Sequence, residues 1–92
     1  MALTKVTVID KIEVLEMGEV QVRTATRVME DGVQLSSSFH RHSLEPSSQT
    51  GDTWGDTDIS GEDARVQAVA TATWTSAVTT AYQEMIDAQA LL

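Results

Sequence analysis

Between Glu19 and Val33 the chain reads EVQVRTATRVMEDGV, and this stretch leaves little choice of fold. Val20, Val22, Thr24, Thr26 and Val28 fall on one side of an extended chain, with Gln21, Arg23, Ala25 and Arg27 on the other. That is the period-two pattern of a strand with one face covered. Glu30-Asp31-Gly32 then fits a short hairpin loop with glycine at the left-handed position. A strand that ends in a hairpin has an antiparallel neighbour, so Val33, Leu35, Ser37, Phe39 and Arg41 are expected to form one face of the returning strand. Upstream, Met17-Gly18 marks a tight turn. Val6 and Val8 alternate with Lys5 and Thr7, and Ile12 and Val14 extend that run. The expectation is an antiparallel meander of three to four strands over about 5–42.

Such a sheet has a face to bury, and nothing before residue 60 can cover it. The segment SLEPSSQTGDTWGDTDIS holds the only proline, Pro46, together with two glycines and several Ser, Thr and Asp residues. It reads as a long acidic loop over 43–59, and loops of that length are uncommon in small domains. Trp54 is expected to pin it to the sheet or to a neighbouring chain. From Ser60 to Leu92 alanine is abundant and proline absent, which favours helix. Thr75 or Ser76 can cap a second helix, so 60–92 is expected to be one helix or a kinked helical pair. Thr71, Trp74, Val78, Ala81, Met85, Ala88 and Leu92 recur at steps of three and four, the seam of a coiled coil or bundle. A second stripe, Val66, Val69, Tyr82 and Ile86, lies partly off that seam. Either one stripe covers the sheet while the other meets a partner, or both belong to one core. The fold class is therefore α+β, with 1–92 forming a single small domain.

Composition limits how that domain is held. Only Phe39, Trp54, Trp74 and Tyr82 are large aromatics, and cysteine is absent, so no disulfide or thiolate site is available. A core of Val, Ala and Thr in 92 residues is thin, and chains of this size commonly use a staple or a partner. Oligomerisation, homo- or hetero-, is the expected stabiliser. The net charge of −8 with no basic run argues against nucleic acid and against an anionic lipid surface. The apolar stretches are too short to span a bilayer. Met-Ala-Leu-Thr-Lys lacks an apolar signal core, so synthesis in the cytoplasm is expected.

Two constellations invite a metal reading. Asp56-x-Asp58-x-Ser60-Gly61 matches the front half of a calcium loop, but the twelfth position is Gln67 where a bidentate Glu is required, and no helix signal precedes it. The same residues read more simply as a helix start, with Ser60 accepting the Asp63 N–H and Glu62 and Asp63 facing the positive end of the helix dipole. His40 and His42 would share one side of a strand, but a metal site needs further ligands, and an exposed strand end facing the acidic loop is the simpler account. No Gly-x-Ser-x-Gly elbow, phosphate loop or dinucleotide fingerprint occurs. No catalytic residue, cofactor or metal site is therefore expected.

The segments KIEVLEMGEVQVRTATRVMEDGVQLSSSFHRHSLEP and GEDARVQAVATATWTSAVTTAYQ together resemble a group of small proteins of tailed bacteriophages, whose genes lie among those for tail and fibre proteins. The patterns VQVRTATRVMEDGV, FHRH, EDARVQA and a Trp-Thr pair before AYQ carry the resemblance, over about two-thirds of the chain. It implies a non-enzymatic virion protein, made in the host cytoplasm, that binds a trimeric tail-fibre protein or another virion protein, with a trimer among the assemblies expected. The role implied is that of a structural subunit or an assembly chaperone acting through the sheet and the C-terminal helix. A capsid or connector decoration protein is the alternative, and a small metal-binding module stands outside both. Few residues carry most interface energy and aromatics lead, which points to Phe39, Trp54, Trp74 and Tyr82 as partner-interface candidates, joined by Val78 and Met85 of the helix seam.

Overall fold

The computed structural model describes residues 2–92. Three long strands, β1 (Leu3–Val14), β2 (Val20–Glu30) and β3 (Val33–Leu44), form an antiparallel sheet in the order β1-β2-β3. The class is α+β, with the meander where the alternation places it. Asp31 and Gly32 both take positive φ, 50° and 83°, as a two-residue type I′ hairpin demands. At the other end Gly18 takes φ 92°, and its N–H donates to the Leu15 carbonyl at 3.0 Å.

Two bulges redistribute the side chains. The β1–β2 register slips at Asp10, so Val6 and Val8 share a face with Arg27 and Ala25, whereas Ile12 and Val14 pair with Val22 and Val20 on the opposite face. The β2–β3 register slips at Leu35. Val33 pairs with Glu30, while Ser37, Phe39 and Arg41 pair with Arg27, Ala25 and Arg23. The single face expected to hold Val33 with Ser37, Phe39 and Arg41 is therefore split. An extra residue in one strand reverses the alternation beyond it.

The segment 43–59 is not a plain loop. It holds a second, two-stranded sheet, β4 (Ser48–Thr50) and β5 (Thr53–Gly55). The helical region is a pair, α1 (Ala64–Thr73) and α2 (Ser76–Ala90). α1 begins four residues later than the Ser60 start, and its cap is Asp63, whose carboxylate accepts the Arg65 N–H at 2.9 Å. Ser60 is held in the preceding turn, its N–H donated to Asp58 at 2.9 Å. Thr75 caps α2 by accepting the Val78 N–H, so no continuous seam runs from Thr71 to Leu92.

The core lies at one end. Val20, Val22, Val66 and Ala70 are fully buried, and Ile9, Ile12, Leu44, Ile59, Val69 and Trp74 pack around them. α1 thus covers the inner face of the sheet near the Gly18 turn, through Val66 and Val69 of the second stripe. The remaining outline is long, 59 × 27 × 23 Å, with a radius of gyration of 17.3 Å, against about 12 Å for a compact chain of this length. The accessible surface is 6252 Å², where about 5,200 Å² is usual for this mass.

Candidate functional site

The six interface candidates divide sharply. Trp74 ends α1 and its indole N–H donates to the Gly18 carbonyl at 2.7 Å. Val78 packs over the same glycine, where an added Cβ would lie 2.5 Å from its Cγ1. Tyr82 is buried and meets the half-buried Trp54 edge-on at 6.1 Å. Burial pushes the Tyr82 phenol above its ordinary value, with the Glu45 and Glu19 carboxylates adding to the effect. Beside them the buried Ser47 hydroxyl donates to the Gly55 carbonyl at 3.0 Å and accepts the Gln83 amide at 2.9 Å. These four aromatic and apolar side chains therefore fasten α2 and the β4–β5 hairpin to the turn end of the sheet. Met85 is half-buried on α2. Phe39 alone lies well out in solvent, 51 % exposed.

Phe39 sits on the outer face, opposite the α1-covered side. The Arg23 guanidinium lies 4.6 Å from the centre of its ring, a cation–π distance. The same guanidinium grips Asp10 through two hydrogen bonds, at 2.9 and 2.8 Å. The bulge supplies this arrangement, since Asp10 is the residue that the register leaves without a partner. Hydrogen bonding from Arg23 holds the Asp10 carboxyl below its ordinary value, against some desolvation. Sequence periodicity alone misses this cluster, because a bulge leaves no mark on the alternation.

Among the described residues, none covers the far end of the sheet on either face. Leu3, Val33, Leu35 and Phe39 are each more than half exposed, and from Val33 to Arg41 every residue of β3 is exposed. On the inner face an open cleft of about 620 Å³ separates Thr7, Ile9 and Thr24 from Asp63 and Arg65 at the start of α1. Arg65 spans it by donating to the Ile9 carbonyl at 2.6 Å.

The metal constellations resolve into structural contacts. Gln67, at the position where a calcium loop needs a carboxylate, donates its amide to the Glu62 carbonyl at 2.8 Å. His40 and His42 stack at 6.3 Å, and His42 Nε2 lies 2.7 Å from a Glu62 carboxylate oxygen. Among the described residues, no group of three His, Cys, Asp or Glu side chains is placed to hold a metal ion. Among the described residues, no helix is long and apolar enough to cross a membrane. No family model, curated protein or solved structure matches the chain.

Proposed function

We propose that this chain is a non-enzymatic accessory protein of a bacteriophage virion that binds a tail-fibre or other tail protein, as a structural subunit or an assembly chaperone. In this reading the partner adds a strand to the β3 edge, and the exposed last turn of α2, with Leu91 and Leu92 after it, supports it. The observation that carries the reading is the difference between the two sheet edges. β1 is interrupted by a bulge and carries Lys5, Asp10, Lys11 and Glu13, devices that discourage strand addition. β3 keeps its ladder from Ser36 to Leu44, with Arg41 as the only Lys, Arg, Asp or Glu in that stretch and no proline. An exposed, weakly charged edge of this kind is the receiving surface of strand-addition complexes.

Co-expression with the fibre gene expected beside it is the test. The two proteins should co-purify, and the β3 amides from Ser36 to Leu44 should gain hydrogen-exchange protection in the complex. If neither protein improves the other's solubility and no complex forms, the reading fails.

A further inference from the structure

Folding leaves two unused surfaces on this chain, and they complement one another. The first is the outer face of the sheet. The register sets Lys11, Arg23 and Arg41 side by side in one row across all three strands, next to a row of Val8, Ala25 and Phe39. Like charges directly opposite one another destabilise a sheet. Glu13 pairs with Lys11 at 2.9 Å and Asp10 with Arg23 at 2.8 Å, but among the described residues no carboxylate pairs with Arg41 or Arg27.

The second surface is the free side of α2. Ala77, Ala81 and Glu84 are exposed there, and Glu84 has no ion-pair partner among the described residues. Beside them Met17, Ala77, Val78 and Ala81 line an open notch of about 190 Å³ with Glu16 at its rim. It lies below the range of about 300–1,000 Å³ typical of small-molecule sites, and is of a size for one protruding side chain. The whole chain is polarised in the same sense. Five of its six Lys and Arg residues precede His42, whereas eight of its fourteen Asp and Glu residues follow it, with Arg65 the only base there.

We propose that a second copy of this chain occupies the outer face. Phe39 seats in the next copy's notch between Met17, Ala77 and Ala81, and Arg27 and Arg41 face its Glu16 and Glu84. An unrelated acidic protein would match the charge but leave the notch and the acidic helix uncovered, whereas one contact between copies uses both surfaces. Because the two surfaces differ, the contact is head-to-tail, and it closes into a ring or continues as a filament according to the rotation per step. This inference stands apart from the fibre reading, which uses the β3 edge and the end of α2.

Sedimentation velocity on the full chain, at about 0.02 M and about 1 M salt, tests it. Association should rise with protein concentration at low salt and weaken roughly tenfold or more at high salt. Arg41→Glu and Glu84→Arg should each abolish it while leaving the circular dichroism spectrum unchanged. Phe39→Ser provides a second, uncharged break on the sheet side. Mixing the Arg41→Glu and Glu84→Arg chains should restore 1:1 pairs, since each retains one intact surface. A wild-type monomer at every concentration in low salt overturns the proposal. So does association that survives either charge reversal, or a mixture that stays monomeric.

Discussion

The two ends of the three-stranded sheet are made from the same strands and end up in opposite surroundings. Near Gly18, Val20 and Val22 are fully buried beneath Val66 and Ala70. Near the Asp31-Gly32 hairpin, Val33 and Leu35 are 62 % and 56 % exposed. Length explains the contrast. The ten residues of α1 span roughly 15 Å at 1.5 Å per residue. The eleven of β2 run roughly 37 Å at 3.4 Å per residue. One short helix covers less than half of the sheet, and α2 is held instead against the turn and the β4–β5 hairpin. The free end therefore projects, with apolar side chains that contribute little to folding of the isolated chain.

The largest expected effect falls where the covered end is closed. Gly18→Ala places a side chain on a left-handed backbone and drives its Cβ to 2.5 Å from Val78 Cγ1. Strain of this kind together with overpacking costs about 3 kcal/mol, and α2 loses its seat. Thermal melting should drop by on the order of 10 °C or more, with α2 becoming the first site of limited proteolysis. A melt within a few degrees of wild type would show that the turn does not lock the two ends of the fold together.

Next in size is Val66→Ala, which empties the centre of the covered end. Losing a fully buried valine side chain should cost about 2 kcal/mol. Hydrogen exchange should rise in Val20 to Thr24 and barely change at the hairpin tip, where local opening already governs exchange.

A third, smaller effect concerns the outer face. Asp10 lies below its ordinary value of 3.8 chiefly through the Arg23 hydrogen bond. A lowered carboxylate pKa contributes stability that is present above the ordinary value and lost as pH falls through the folded one. Melting temperature should therefore fall with acid below about pH 4, and Asp10→Asn should flatten part of that fall while lowering stability at neutral pH. Asp58, which hydrogen bonding from Ser60 holds below its ordinary value, supplies a remaining slope. Parallel curves for the two proteins would show that the Asp10–Arg23 pair does not form in solution.

Much of this contrast is legible in the sequence, and its gaps have physical causes. The alternation of Val20 to Val28, the Asp31-Gly32 turn and the Gly18 turn are local signals, and each lies where it was expected. The bulges at Asp10 and Leu35 leave the alternation of the apolar residues around them unbroken, and although Asp is uncommon in strands, a single one does not specify a bulge. They nevertheless decide which side chains reach the outer face, and so they hide the Lys11–Arg23–Arg41 row. The β4–β5 hairpin has the Gly51-Asp52 turn as its one marker, and three-residue strands are too short for periodicity to show. Ser60 reads as a cap, yet Asp63 takes that role by accepting the Arg65 N–H, and Ser60 lies in the preceding turn with its N–H donated to Asp58. Size marks the aromatic candidates in the sequence, and size does not tell an external interface from the fastening of a helix. Trp54, Trp74 and Tyr82 perform the fastening, and Phe39 is the one left outside.

The smallest expected effect is the most direct probe of the free end. Val33→Thr and Leu35→Thr keep β-branched or strand-compatible side chains at positions with no cover, so each should change stability by no more than about 0.5 kcal/mol. That near-zero result is specific to the isolated chain. Anything that binds the folded tip stabilises it by mass action and makes the melting temperature depend on concentration. Melts of the double variant and the wild type should therefore coincide in dilute solution. If they also coincide in the presence of the proposed fibre partner, that contact does not extend beyond the edge from Ser36 to Leu44 onto the tip side chains. If they part in dilute solution by as much as Val66→Ala, the tip is covered within the monomer, and the contrast between the two ends of the sheet disappears.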